Sequence, residues 1–188
     1  MSTSRPFFLC AALTLALTAG LLHAAAHAQE AQQETNSSLT LSSSSFPGDT
    51  IPSKFTCDGE NTSPELSWKS APAGTQSFVL IVTDKDSSFV HFVHWVVYDL
   101  PADKRELPEG IPKQEQLPDG SRQGKTDFDK VGYGGPCPHW KSTHHYGFVL
   151  YALDSELGLP SGVTAKQTLK AMKGHILAKA ELVGSYHR

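Results

Sequence analysis

The residue types that could carry chemistry concentrate in one stretch, Gly132 to Tyr146, which is rich in glycine, proline and histidine and contains a cysteine. Glycine lets the backbone approach a ligand closely and proline fixes the backbone, so the first half predicts a rigid irregular loop. His144 and Tyr146 share one face of the strand expected to follow, because strand side chains alternate. An imidazole and a phenol side by side offer hydrogen-bond donors that suit an anion.

A second polar set lies where a buried strand is expected to end. Asp84 and Asp86, with the imidazole of His94, could bind a cation, act as acid and base, or orient a ligand head group. Taken alone, Asp-x-Asp at a strand end is more typical of a turn whose carboxylates accept backbone N–H groups. His94 has apolar neighbours, so taken alone it is also compatible with a core histidine that has found partners.

The sequence gives little support for a metal site or for a catalytic nucleophile. Cys137 and His139 followed by the adjacent His144 and His145 match no standard zinc spacing, so neither a metal site nor another cofactor is expected. The chain has no Gly-x-Ser-x-Gly elbow, P-loop or His-Glu-x-x-His motif. Cys137 is the one candidate nucleophile for a hydrolase built on the Asp/His cluster, and pairing with Cys57 would disable it. An enzyme is therefore the less favoured class.

Apolar runs must position these residues. The runs 78–83, 92–98 and 148–153 lack helical spacing and predict buried strands, and the alternation in 176–183 predicts a last strand. The region 101–132, rich in proline, glycine and charge, predicts a long surface connection.

One late helix is expected near 164–173. Thr164 can cap it, and Ala165, Leu169 and Met172 would form its apolar stripe. Strands, long connections and this helix predict a mainly β domain of two packed sheets with one or two short helices.

The N-terminal segment 1–28 has the pattern of a signal peptide. Arg5 precedes an apolar run from residue 7 to 22, and Ala26-His27-Ala28 is a small-x-small cleavage site. The run is shorter than the about 20 residues of a membrane span, so no transmembrane span is expected in the mature chain; an uncleaved anchor is the alternative. Cleavage near Ala28 predicts a periplasmic or secreted protein, with 29–38 as a flexible leader.

Net charge bears on the binding partners, and cysteine content bears on a possible disulfide. The net charge of −3 with scattered basic residues favours no nucleic-acid partner. Cys57 and Cys137 remain in the mature chain, and an exported protein could join them in a disulfide. A structural thiol or a ligand role stays open, because the sequence does not show that the two Cβ atoms meet.

Several motifs, in their order along residues 39–188, resemble the phosphatidylethanolamine-binding protein (PEBP) family, in particular its bacterial Raf-kinase-inhibitor-like YbhB/YbcL branch. The motifs are Asp84-x-Asp86, His94-Trp95, Gly134-Gly135-Pro136-Cys137-Pro138 and His144-x-Tyr146, flanked by the segments 55–68 and 174–186. The resemblance implies a two-sheet β-sandwich over 39–188.

The resemblance also implies a small pocket for phosphate or a phosphorylated head group such as phosphoethanolamine, in an exported regulator that resembles kinase or protease inhibitors. The residues carried over to this pocket are Asp84, Asp86, His94, Gly135, Pro138, His144 and Tyr146. An interaction module with a vestigial pocket, which would bind partners through the connection 101–132, is the alternative beside the hydrolase.

The chain departs from the family pattern at three places. Lys85 and the serines at 87 and 88 replace the prolines of the usual Asp-Pro-Asp-Ala-Pro. His139 replaces a second proline after Pro138, and His145 stands where an arginine is often found. Losing that arginine removes bidentate phosphate geometry, which Lys85, His139 and His145 could replace only in part and only where they face the pocket.

Overall fold

The computed structural model describes residues 38–46, 48–87 and 91–188. The signal peptide expected over 1–28 and the leader expected over 29–38, except for its last residue, lie outside the described residues. The described part of the chain contains no helix that is long and apolar enough to cross a membrane.

Eight strands, one α-helix and one 3₁₀ turn lie in the part of the chain that the structure describes. The strands are β1 (Thr40–Ser42), β2 (Leu66–Lys69), β3 (Ser77–Asp84), β4 (Phe92–Pro101), β5 (Glu106–Leu107), β6 (Arg122–Gln123), β7 (Thr143–Leu153) and β8 (Ile176–His187). The 3₁₀ turn covers Ser53–Phe55, and the helix α1 covers Ala165–Ala171.

The strands form two antiparallel sheets, a small one in the order β1-β2-β5 and a large one in the order β6-β4-β3-β7-β8. One core cluster joins Trp68 of the small sheet to Leu80, Trp95 and Phe148 of the large sheet. The prediction of a mainly β fold with two sheets is confirmed.

The other face of the large sheet is also covered. Val79, Ile81 and Val96 pack there with Ala165 and Met172 at the helix. Burial on both faces is the reason that β3 and β4 are continuous apolar runs rather than alternating ones.

The helix begins where its cap was predicted. The Thr164 hydroxyl accepts from the backbone N–H of Gln167, whose side chain accepts from the Thr164 backbone in a capping box. The predicted apolar stripe is wrong at Leu169, which is 45% exposed, whereas Ala165 and Met172 are buried.

The region 101–132 lies largely at the surface, as its composition predicts, but parts of it pack against the sheets. It contains β5 and β6, and Leu107 and Gln123 within it are fully buried. Gln123 accepts from the indole N–H of Trp95 at 2.7 Å and donates to the carbonyls of Pro112 and Gln114, also at 2.7 Å. A buried amide satisfied in this way holds the connection against the large sheet.

Candidate anion-binding site

The candidate site lies at the end of the large sheet where β3 stops and β7 begins. The register pairs Asp84, the last residue of β3, with Tyr146 of β7 and with Phe92 of β4. His144 lies two residues before Tyr146 on the same strand. The antiparallel register therefore brings the two sets of polar residues identified in the sequence to the same end of the sheet.

A β-bulge brings His94 to the same place. β3 pairs Val82 with Trp95 and Thr83 with Val93, so His94 is an extra residue in β4. A bulge bends its strand and re-aims a side chain. Trp95 accordingly packs in the core, while His94 lines the site.

These residues surround a cavity of about 270 Å³, which we call the histidine cavity. Its lining includes Asp84, Phe92, His94, Pro138, His139 and His144. Four of the seven residues carried over from the family pattern thus line it directly, whereas Asp86 and Gly135 lie outside it and Tyr146 packs beside His94.

His144 is held by Asp84. Its Nδ1–H donates to Asp84 Oδ2 at 2.6 Å, and the other oxygen of Asp84 accepts the backbone N–H of Asp86 at 2.8 Å. Both carboxylate oxygens are therefore engaged by the protein. Asp84 fixes the tautomer of His144 and leaves its Nε2 for a ligand.

His94 is also held through its Nδ1, by the loop of residues 132–138, which we call the glycine loop. Its Nδ1–H donates to the Gly134 carbonyl at 2.7 Å, and the Gly134 N–H donates to the His94 carbonyl at 2.9 Å. Burial lowers the pKa of His94, opposed in part by the Gly134 and Gly135 backbone and by the Asp84 carboxylate. A neutral His94 therefore presents an acceptor at Nε2, which becomes a donor when a bound anion favours the protonated ring.

Tyr146 lies against His94, with the ring centroids 5.1 Å apart in an edge-to-face arrangement. The side chain is fully buried, and its hydroxyl forms no hydrogen bond of regular geometry among the described residues, although the backbone of Cys137 approaches it. Burial raises the pKa of this phenol, and the Asp84 carboxylate adds to the effect, so the hydroxyl keeps its proton. A buried O–H without a regular hydrogen bond is costly.

Gly135 packs the glycine loop closely against the backbone of Phe55. A Cβ at this position would lie 2.2 Å from the carbonyl oxygen of Phe55, so only glycine fits. Its N–H donates to Asn61 Oδ1 at 2.7 Å. Gly135 does not line the histidine cavity but a second cavity beside it.

Cys57 and Cys137 form a disulfide, with their Cα atoms 5.4 Å apart. The bond ties the segment after the 3₁₀ turn to the glycine loop, and Cys57 N–H also donates to the Pro136 carbonyl at 3.0 Å. The suggested pairing is confirmed. In this state Cys137 is not a nucleophile, and the hydrolase alternative loses its one candidate.

The three departures from the family pattern have different positions. His139 lines the histidine cavity. Lys85 pairs with Glu181 at 2.6 Å. His145 points away from the cavity and donates to Asp86 at 2.8 Å.

Asp86 therefore binds His145 at the rim of the cavity and does not line the cavity itself. Its carboxylate also accepts the backbone N–H of His145 at 2.7 Å, and the two hydrogen bonds from His145 lower the pKa of Asp86. Within the described ranges no group of three or more His, Cys, Asp or Glu residues is arranged to hold a metal ion.

Phe128 is a site residue that sequence reasoning missed. Its ring lies 5.1 Å from that of His94 and 4.8 Å from that of Phe92, and it lines both cavities. It stands in the charged connection 101–132, where no spacing or motif singles it out. Only the packing of this connection on the sheet reveals its position.

A double-sheet β fold with a small histidine-lined cavity at one sheet edge defines the class of protein. The model of the phosphatidylethanolamine-binding protein family matches residues 41–187, and the chain belongs to this family.

Its relatives confirm the YbhB/YbcL branch. UPF0098 protein YbhB of Escherichia coli K12 is 40% identical over 132 residues, which cover 69% of this chain and 84% of YbhB. The crystal structure of the PEBP homologue CT736 from Chlamydia trachomatis is 38% identical with a TM-score of 0.72, over 80% of this chain and 98% of CT736. That of Escherichia coli YbcL is 29% identical with a TM-score of 0.75, over 81% and 99%.

Proposed function

We propose that the histidine cavity binds inorganic phosphate or the phosphate group of a small head group such as phosphoethanolamine. The observation that carries the proposal is the orientation of two imidazoles. In His94 and His144 alike, an acceptor of the protein engages Nδ1, so Nε2 is the nitrogen left for a ligand.

The hydroxyl of Tyr146 supports an anion rather than a cation as the ligand. It is a buried group beside His94 that forms no regular hydrogen bond among the described residues. The one carboxylate at the cavity, Asp84, already accepts from His144 and from a backbone N–H. An ammonium group would thus meet only the Nε2 acceptors of neutral imidazoles and no free carboxylate oxygen, whereas a phosphate would meet the Tyr146 hydroxyl and the Nε2–H donors of protonated imidazoles.

The size of the cavity limits the ligand. A volume of about 270 Å³ lies just below the range that small-molecule sites enclose, roughly 300–1,000 Å³. It holds a phosphate and a few further atoms. Larger parts of a phosphorylated molecule would extend over the exposed rim around His139.

Calorimetric titration with phosphate and with phosphoethanolamine tests the proposal. The wild type is expected to give single-site binding heats, and His144→Ala is expected to abolish them. His145→Ala is the matched control, because it removes the neighbouring imidazole, which pairs with Asp86 outside the cavity. Equal heats for the wild type and His144→Ala would refute the proposal.

The proposal includes export. A disulfide between Cys57 and Cys137 suits an oxidising compartment, in agreement with the signal pattern of residues 1–28. The mass of the protein recovered from outside the cytoplasm is expected to match a chain that begins at Gln29. A full-length mass in the cytoplasmic fraction would contradict export.

A further inference from the structure

A second cavity of about 450 Å³ adjoins the histidine cavity. The two share Phe128 and Cys137 in their walls. Lys113 and Lys130 both line this second cavity, which we call the lysine cavity, and none of the described residues in its lining is acidic.

Buried polar contacts fix the backbone on both sides of Lys113. The side chain of Gln123 donates to the carbonyls of Pro112 and Gln114 at 2.7 Å each. Gly132, with φ of +93°, lets the side-chain stem of Lys113 pass closely, since a Cβ there would lie 2.9 Å from Lys113 Cβ. Lys113 is therefore placed at the cavity by the fold, not only by its own flexible side chain.

A tight turn fixes Lys130 on the other side. The backbone N–H and the hydroxyl of Thr126 both donate to the Lys130 carbonyl at 2.9 Å. The N–H of Asp129 closes the turn on the Thr126 carbonyl at 3.0 Å. Both lysines thus come from restrained backbone.

The two ammonium groups are not neutralised by the protein. Among the residues that the structure describes, neither Lys113 nor Lys130 forms an ion pair. Burial lowers the pKa of Lys113, and the nearby charge of Lys130 lowers it further. Two like charges beside one cavity repel each other, and an anion placed between them would remove this repulsion.

Asn61 adds neutral donors. Its Oδ1 accepts the N–H of Gly135, which fixes the orientation of the amide and leaves its NH₂ group for the lysine cavity that Asn61 lines.

We propose that the lysine cavity binds a second anionic group of the ligand whose phosphate occupies the histidine cavity. The ligand class is then a small molecule with two separated anionic groups, such as a bisphosphate. This inference rests on the proposed function, because the first group is assigned to His94 and His144. The shared walls place the two groups within reach of one short molecule.

A series of alkane α,ω-bisphosphates, from propane to hexane, tests the inference by calorimetry on the mature protein. Each is compared with the ω-hydroxyalkyl monophosphate of the same chain length. At the length that spans the two cavities, the bisphosphate is expected to bind about tenfold more tightly, beyond the about twofold advantage that two equivalent phosphates have by chance.

The ratio of the two affinities is the readout in the variants. The double variant Lys113→Gln/Lys130→Gln is expected to reduce this ratio to the about twofold chance value. Lys170→Gln/Lys173→Gln removes the same charge from exposed positions in the last turn of α1 and just after it, and is expected to keep the wild-type ratio.

The outcomes separate the two proposals. Monophosphates that bind the wild type and are lost in His144→Ala, together with bisphosphates that are no tighter at any length, would overturn the inference alone. Loss of the ratio in both lysine double variants would also overturn it, since net charge would then explain the effect. Monophosphate binding that survives His144→Ala would overturn the proposed function itself.

Discussion

Two of the fully buried tyrosines, Tyr133 and Tyr146, allow a sharp prediction, because among the described residues only the first forms a regular hydrogen bond. The Tyr133 hydroxyl donates to the Phe55 carbonyl at 2.8 Å, whereas the Tyr146 hydroxyl forms no regular hydrogen bond among the described residues. An unsatisfied buried polar group costs about 1–3 kcal/mol. Tyr146→Phe is therefore expected to raise the free energy of unfolding of the ligand-free protein by about 1–2 kcal/mol.

The same substitution is expected to weaken ligand binding. A hydrogen bond to a charged group contributes about 1.5–3 kcal/mol, so loss of the Tyr146 donor raises the dissociation constant for phosphate by at least about tenfold. Urea unfolding without phosphate and calorimetry with phosphate measure the two effects. Stability and binding should thus change in opposite directions.

Tyr133→Phe is the control for this pair of effects. It leaves the Phe55 carbonyl without its donor and is expected to lower the free energy of unfolding by about 1–2 kcal/mol, with phosphate affinity unchanged. If Tyr146→Phe destabilises the ligand-free protein as much as Tyr133→Phe does, or binds phosphate like the wild type, the assignment of the Tyr146 hydroxyl to the anion is refuted.

Three further predictions concern the groups around the cavity. Because burial lowers the pKa of His94 below its unfolded value of about 6.5, the unfolded chain binds the proton more readily. The free energy of unfolding without ligand should therefore fall as the pH falls below about 6.5. Urea unfolding at a series of pH values should show that this free energy depends less on pH in His94→Gln than in the wild type. Asp84→Asn removes the carboxylate that orients His144 and should weaken phosphate binding about tenfold by calorimetry, while unchanged affinity would contradict its role. The disulfide between Cys57 and Cys137 spans 80 positions and should stabilise the fold by about 4 kcal/mol in the chain-entropy model, which urea unfolding of the double serine variant measures; a loss under about 1 kcal/mol would count against this.

Much of the fold could be predicted from local patterns. The apolar runs gave the central strands because β3 and β4 are buried on both faces, and Thr164 marked the helix start because capping is local chemistry. Leu169 escaped such reasoning, since the helix leaves it exposed despite its spacing with Ala165 and Met172.

The geometry of the site depends on long-range pairing that no local pattern encodes. The bulge that re-aims His94 exists only in the register of β4 against β3. The outward pairing of Asp86 with His145 and the position of Phe128 between two cavities likewise require the assembled sheet edge. The family motif identified the residues near the site. Their contacts show that His94 and His144 line the cavity, Asp86 lies at its rim, and Gly135 packs against the Phe55 backbone.

The central claim is that an anion binds between His94 and His144. A crystal of the mature protein soaked in tungstate, an electron-dense analogue of phosphate, tests it directly through anomalous scattering. We expect an anomalous peak in the histidine cavity, within hydrogen-bond distance of Nε2 of both histidines and of the Tyr146 hydroxyl. An empty histidine cavity, with peaks elsewhere or none at all, would contradict it.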